Sequence, residues 1–93
     1  MRIVITNAAQ NDLDGHFDYI FEHNPDAAER IYNAIVGRIR GLRDTPHIGR
    51  PGRVQGTREL VISSTPYLVI YEVSTDEITI LHVMHGRQEW PRQ

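Results

Sequence analysis

The chain has 93 residues and a formal net charge of −2 at pH 7. This length accommodates one domain, which we place at residues 1–93, with a single modest core. With 40% hydrophobic and 24% charged residues, the composition is that of a globular protein. No apolar run approaches the roughly 18 to 20 residues that a transmembrane helix requires, so we expect no membrane partner.

Cysteine is absent from the sequence, and the first residues do not resemble a signal peptide. The lack of cysteine excludes disulfides, thiolate nucleophiles and cysteine-based zinc sites. The opening apolar run, Ile3-Val4-Ile5, is too short for a signal peptide, and no small-residue cleavage site follows it. We therefore expect a protein of the reducing cytoplasm.

Charge is distributed unevenly along the chain. Residues 1–36 carry a formal charge of −4, residues 37–58 carry +5, and residues 59–93 carry −3. All ten basic residues are arginine, whose side chain favours bidentate contacts with carboxylates or phosphates. The basic segment is either a solvated helix face running into a loop or a binding surface for an anionic partner.

The spacing of apolar residues predicts a first helix over residues 8–23. Asn7 and Gln10 resemble a capping box, in which two side chains satisfy free backbone N–H groups at a helix start. The apolar face holds Leu13, Phe17, Ile20 and Phe21. The opposite face is assigned four acids, Asp12, Asp14, Asp18 and Glu22.

A second helix follows almost at once. Asn24 can cap it, Pro25 suits the first helical position, and Asp26 meets the positive end of the helix dipole. Its apolar stripe consists of Ala28, Ile31, Ile35, Ile39 and Leu42. Because the connection is so short, the two helices are predicted to form an antiparallel hairpin.

Four strands complete the predicted fold. Ile3-Val4-Ile5 suits a buried strand, and residues 57–62, 67–73 and 77–85 predict an antiparallel meander. Two prolines and two glycines predict that residues 45–53 have no regular structure. The result is an α+β fold of order β-α-α-β-β-β, with a helical hairpin packed on one face of a small, mainly antiparallel sheet.

The last strand and the residues after it carry a candidate acid–base group. His82 and His85 are three residues apart, so they point to opposite faces of a strand, and we predict no metal site. We expect His82 to pack in the sheet. His85 can serve as a proton donor and Arg87 as a phosphate clamp, while Trp90 either stacks on a base or attaches the tail to the core.

The segment before the meander carries further cations. Two glycines give residues 49–53 a mobile backbone, and Arg50 and Arg53 suit a polyanion or an acidic protein. Arg58 and Glu59 face opposite ways on a strand and are not a direct ion pair. No serine stands in a glycine elbow and no phosphate-binding glycine loop is present, which argues against a self-contained hydrolase or a cofactor enzyme. We predict no cofactor.

Several short segments, in this order, resemble toxins of the RelE/ParE superfamily. They are Asp12-Leu13-Asp14, Ala27-Ala28-Glu29-Arg30, Gly49-Arg50-Pro51-Gly52-Arg53, Gly56-Thr57-Arg58-Glu59-Leu60, Pro66-Tyr67, Val69-Ile70-Tyr71 and His85-Gly86-Arg87-Gln88-Glu89-Trp90-Pro91. Each segment is weak alone, but together they span nearly the whole chain. The family fold has the same order of elements.

The resemblance implies a growth inhibitor of a type II toxin–antitoxin system, such as those of plasmid maintenance. A cognate antitoxin, ParD-like or RelB-like, is expected to hold it inactive in a hetero-oligomer. The acidic outer face of the first helix and the apolar rims of the hairpin are the expected docking surfaces. The antitoxin-contacting residues proposed on this basis are Leu13, Phe17, Phe21, Ile35 and Ile39.

The superfamily implies two targets. ParE-like members poison DNA gyrase, whereas RelE-like members cleave mRNA in the ribosome. The arginine loop, the His-Gly-Arg tail and the absence of lysine favour the ParE branch, with target contacts at Arg50, Arg53, Arg58, Arg87 and Trp90. For the nuclease alternative the catalytic candidates are His85, Arg87, Arg58 and Arg53. A third hypothesis is a non-toxic, degenerate interaction module.

Overall fold

The computed structural model describes residues 1–91 and confirms the α+β fold. Its elements in chain order are β1 (Arg2–Ile5), α1 (Asn7–His23), α2 (Pro25–Gly41), β2 (Arg50–Pro51), β3 (Arg58–Val61), β4 (Tyr67–Val73) and β5 (Glu77–His85). The sheet has the order β1-β5-β4-β3-β2, in which β1 and β5 are parallel and the other pairs are antiparallel.

The two-residue strand β2 was not predicted from the sequence. It lies within the segment expected to be irregular, where Arg50 pairs with Glu59 and Pro51 pairs with Arg58. Proline is compatible with this position because β2 is the outermost strand, and a missing N–H does no harm at a sheet edge.

The two helices form the predicted hairpin, but the cap of α1 differs from the expectation. Asn24 caps α2 as predicted, with its side chain accepting a hydrogen bond from the Ala27 N–H at 3.1 Å. The cap of α1 is Thr6 rather than Asn7. Thr6 still has the extended backbone of β1 and accepts from the Ala9 N–H, whereas Asn7 is already helical. The side chain at the strand–helix junction therefore supplies the missing acceptor.

The helical hairpin packs on one face of the sheet and forms the main core with it. The fully buried side chains of this core include Leu13, Ile35, Ile39, Leu42, Val69, Tyr71, Ile78 and Ile80. Neither helix of the described residues 1–91 has the length and apolarity that a bilayer span requires.

The first strand is an edge strand and is not buried as predicted, since Ile5 is 41% exposed. It pairs with β5 as far as Ile80. Beyond that point, side chains of α1 form hydrogen bonds with the backbone N–H and C=O groups of β5 that β1 does not reach. The Asp12 carboxylate accepts the Val83 N–H at 3.0 Å, and His16 Nε2 lies 2.8 Å from the Val83 carbonyl oxygen. Asp12 therefore faces β5 and does not belong to the outer acidic face.

The other face of the sheet carries no helix. Because side chains alternate along a strand, Leu68 and Ile70 of β4 point away from the hairpin. They form a second small cluster with Met84, against which Trp90 packs. This packing agrees with the reading of Trp90 as an attachment of the tail to the core. We call this side of the sheet the helix-free face.

Candidate binding surface on the sheet

The centre of the basic segment is Glu59, a carboxylate that is 2% exposed. One of its oxygens accepts from the Arg50 guanidinium at 3.1 Å. The other accepts the Arg53 backbone N–H at 3.0 Å and lies 3.5 Å from the Arg53 side chain. As expected, Glu59 does not pair with its neighbour Arg58. Its partners are Arg50 and Arg53, two arginines that precede β3 in the chain.

The electrostatic balance at Glu59 favours its charged form. Burial opposes this and by itself would raise the pKa of the carboxyl group. The backbone hydrogen bond from Arg53, the side-chain hydrogen bond from Arg50 and the charges of both arginines outweigh burial, so the pKa of Glu59 is lowered. Glu59 is therefore ionised near neutral pH and holds two partly exposed guanidinium groups in fixed positions.

The loop that precedes β3 is not the mobile segment that its glycines predicted. The Tyr71 hydroxyl accepts from the Gly49 N–H at 2.9 Å and donates to the Pro46 carbonyl at 2.8 Å. Arg58 donates to the carbonyl oxygens of His47 at 3.2 Å and Gly49 at 2.8 Å. Four hydrogen bonds from the sheet therefore fix residues 46–49, and Arg58 contributes two of them through Nη1.

Gly49 is needed for this close approach. A Cβ atom at that position would lie 2.6 Å from the Tyr71 hydroxyl oxygen and 3.1 Å from the Glu59 carbonyl oxygen. The glycine therefore lets the loop lie directly on the end of the phenol ring, instead of giving the loop freedom to move.

At the end of β5, His85 is half-buried and packs edge-on against Tyr67, with ring centroids 5.5 Å apart. Its Nδ1 accepts the Arg87 backbone N–H at 3.1 Å, and its own backbone N–H donates to Gln88 Oε1 at 2.7 Å. These bonds fold the tail back on the strand. Arg87 itself is exposed.

Tyr67 lies between two histidines, and the sequence did not predict the second one. The His16 ring of α1 is 4.7 Å from Tyr67, on the same aromatic cluster as His85. Burial, with a smaller contribution from Tyr19, raises the pKa of the Tyr67 phenol. The Tyr67 phenol is therefore protonated at neutral pH.

The four candidate nuclease residues are divided between two regions. Arg58 pairs with Tyr71, whereas His85 pairs with Tyr67, four positions earlier on β4. At roughly 3.3 Å per residue, these positions are about 13 Å apart along β4. Arg58 lies on β3 and His85 lies on β5, the two strands that flank β4. The register therefore places the backbones of His85 and Arg58 well apart in the sheet.

The helix-free face brings a different set together. Glu59, Ile70 and His82 pair across three adjacent strands, so their side chains lie in one row on this face. The row joins Arg50 and Arg53, held by Glu59, to Trp90, which packs against His82 with ring centroids 4.9 Å apart. Neighbouring strands are about 4.8 Å apart, so the two ends of the row are about 10 Å apart.

His82 differs from its expected place inside the sheet. Its side chain is 33% exposed, and its Nδ1 lies 2.9 Å from Asp12 Oδ2. The same oxygen accepts the Val83 N–H. Within residues 1–91, no group of three or more side chains of the metal-binding types is present.

The residues proposed to contact an antitoxin divide by burial. Leu13, Ile35 and Ile39 are each 2% exposed and belong to the core, so they are not part of the accessible surface. Phe21 is 51% exposed, and its ring stacks on Phe17 with centroids 5.7 Å apart. A surface groove of about 460 Å³ lies beside them, lined by Asp14, Phe17, Asp18 and Tyr32. We call it the hairpin groove.

The family model and the related proteins that match this chain all describe toxins. Residues 3–90 match the model of a family described as the ParE toxin of the type II toxin–antitoxin system parDE. The putative toxin Y4kP of Sinorhizobium fredii is 43% identical over 91 residues, which cover 98% of this chain and 94% of that protein. Toxin ParE2 of Mycobacterium tuberculosis is 27% identical over 88 residues, covering 94% of this chain and 83% of that protein.

A solved structure agrees with these sequence matches. A chain from the chromosomal ParDE TA system of P. aeruginosa superposes with a TM-score of 0.85 at 28% identity, covering 91% of this chain and 95% of that one. The family match spans almost the whole of the described sequence, and the fold is shared. The chain therefore belongs to the ParE toxin family of type II toxin–antitoxin systems, on the ParE branch of the RelE/ParE superfamily.

Proposed function

We propose that this ParE-family toxin inhibits DNA gyrase by binding, without catalysis of its own, and that a cognate ParD-like antitoxin neutralises it. The observation that carries the proposal is the row on the helix-free face, where Glu59 presents Arg50 and Arg53 beside Trp90. Arginine and tryptophan are the side chains that contribute most at protein interfaces. We take this face as the surface that contacts the target.

The arrangement of the other candidate residues supports binding over RNA cleavage. General acid–base cleavage needs two proton-transfer groups within hydrogen-bond reach of one reacting site. His85 and Arg58 lie at different ends of the paired strands, and the Arg58 guanidinium is bonded to loop carbonyls. The Tyr71 hydroxyl of β4 already accepts from the Gly49 N–H and donates to the Pro46 carbonyl, so its proton is used within the chain.

The proposed antitoxin surface is the hairpin groove with the exposed ring of Phe21. A helix-in-groove partner places apolar side chains in such a site, and the carboxylates of Asp14 and Asp18 would attract basic residues on its rim. The groove lies on the helical hairpin, whereas the proposed target surface lies on the opposite face of the sheet. An antitoxin in the groove would therefore not cover the target surface directly. It would neutralise the toxin by keeping the much larger gyrase from docking.

Expression of the chain alone in a growing bacterial culture tests the target. We expect growth arrest accompanied by relaxed or cleaved plasmid DNA, with the 5′ ends of cellular mRNA unchanged. Cleaved transcripts with normal plasmid supercoiling would favour the ribosome-dependent nuclease instead. Normal colony formation by a folded chain would favour the degenerate interaction module.

A second experiment tests the antitoxin surface. With a cognate antitoxin, Phe21→Ala should weaken the complex at least about tenfold, because an exposed aromatic anchor is removed. Tyr19→Ala is the matched control, since Tyr19 is also an exposed aromatic residue of α1, at 65%, but its ring packs against His23 and not against the groove residue Phe17. Equal losses for the two variants would contradict this placement.

A further inference from the structure

A separate pocket of about 220 Å³ opens where the tail meets α1 and β5. It is lined by Asp12, His82, Met84, Gln88 and Trp90. None of these residues lines the hairpin groove. His82 and Trp90 also belong to the proposed target surface, but the proposed gyrase and antitoxin contacts leave the carboxylate of Asp12 without a role. The pocket is therefore a candidate subsite at the edge of that surface.

The pocket contains one carboxylate, that of Asp12, with an oxygen that is still free to accept. Asp12 Oδ2 is occupied by His82 Nδ1 and the Val83 N–H, and within residues 1–91 Asp12 Oδ1 has no hydrogen-bond partner. A carboxylate accepts only, so His82 Nδ1 donates to Asp12 Oδ2. Gln88 adds a side-chain amide, whose oxygen Oε1 accepts the His85 N–H.

Trp90 contributes an aromatic surface to the pocket and no hydrogen-bond donor. Its indole Nε1 is buried and has no hydrogen-bond partner among the described residues. The part of the ring that lines the pocket therefore consists of carbon atoms. A cation is attracted to the face of an indole ring when it lies within about 6 Å of the ring centre.

We propose that this pocket binds the guanidinium group of an arginine side chain presented by a partner protein. Guanidinium has five donors and no acceptor, and its flat, weakly hydrated shape suits both an aromatic ring and a carboxylate oxygen. An anion would meet the charge of Asp12. A nucleobase brings no positive charge to pair with that of Asp12. The volume accommodates one side chain, so the site would hold a single anchoring arginine.

The single tryptophan of the sequence makes the test specific, because the indole N–H of Trp90 gives one cross-peak in a ¹H–¹⁵N NMR spectrum. The full chain is titrated with N-acetyl-arginine amide at constant ionic strength. We expect a saturable shift of this peak with a dissociation constant on the order of millimolar. Asp12→Asn should weaken binding at least about tenfold, whereas Glu22→Gln, which removes an exposed negative charge near the other end of α1, should leave affinity within about twofold.

A second variant covers the case in which Asp12→Asn does not fold. Gln88→Glu keeps an oxygen that can accept the His85 N–H and adds a second carboxylate beside the pocket, which should tighten arginine binding about threefold. Adenosine and inorganic phosphate are titrated in parallel. The proposal is overturned if arginine gives no saturable shift, if Glu22→Gln weakens binding as much as Asp12→Asn, or if adenosine or phosphate binds more tightly than arginine.

Discussion

Glu59 and Arg53 are joined twice, through the Arg53 backbone N–H at 3.0 Å and through its side-chain Nε at 3.5 Å from the same carboxylate oxygen. The double contact fixes the course of the loop as well as the direction of the guanidinium group. Since Glu59 also holds Arg50, one buried carboxylate organises the cations of the proposed target surface.

Acid sensitivity is the first consequence. Because the pKa of Glu59 is lowered in the folded chain, the unfolded chain takes up the proton first as the pH falls. The stability from this group is complete above the ordinary value of 4.5 and is lost as the pH falls through the folded pKa. Urea unfolding between pH 7 and pH 3 should therefore show a loss of stability that is smaller in Glu59→Gln.

The same variant should be less stable at pH 7 by about 1 to 3 kcal/mol, the usual contribution of hydrogen bonds to a charged group. Glu72→Gln is the matched control, because Glu72 is an exposed residue of the adjacent strand β4. It should change stability by less than about 0.5 kcal/mol. Identical pH profiles for the wild type and Glu59→Gln would rule out this role of Glu59.

Removal of one hydroxyl tests how the loop is fixed. Tyr71→Phe leaves the Gly49 N–H and the Pro46 carbonyl without their partner, which should cost about 1 to 3 kcal/mol in unfolding free energy. Tyr67→Phe removes a hydroxyl that makes no hydrogen bond within residues 1–91, so it should have little effect. Equal unfolding free energies for the two variants would show that the loop does not depend on Tyr71.

Two glycines should respond in opposite ways to alanine. A methyl group at Gly49 would collide with the Tyr71 hydroxyl, so Gly49→Ala should destabilise the chain by about 1 to 3 kcal/mol. Gly37 lies inside α2 with open space around it, so Gly37→Ala should stabilise the chain by about 1 kcal/mol. Thermal melting measures both, and a stable Gly49→Ala variant would mean that the loop has another way to pack.

Local patterns were sufficient to predict most of the fold. The Asn24-Pro25 start of α2, the bounds of β4 and β5 and the hairpin with its meander follow from capping residues and from apolar spacing, which act over a few residues. Thr6 was missed as the cap of α1 because both Thr and Asn are suitable, and the choice depends on where β1 ends.

The site was harder to predict because it depends on contacts between distant residues. Asp12 was assigned to an outer face from helical spacing, yet it satisfies the edge of β5, about seventy positions away. His16, Glu59 and Tyr71 gained their roles from partners that only the folded chain brings near. The candidate residues were chosen by chemical type, and the fold then separated Arg58 and His85 while it joined Arg50, Arg53 and Trp90.

The most direct test of the account is the supercoiling of relaxed plasmid by purified DNA gyrase and ATP in the presence of this chain. We expect the wild type to block supercoiling or to trap cleaved plasmid. Arg53→Ala, which keeps the backbone bond to Glu59, should need at least about tenfold more protein, while Arg38→Ala on α2 should match the wild type. Full supercoiling at a saturating concentration of folded wild-type chain would contradict gyrase as the target.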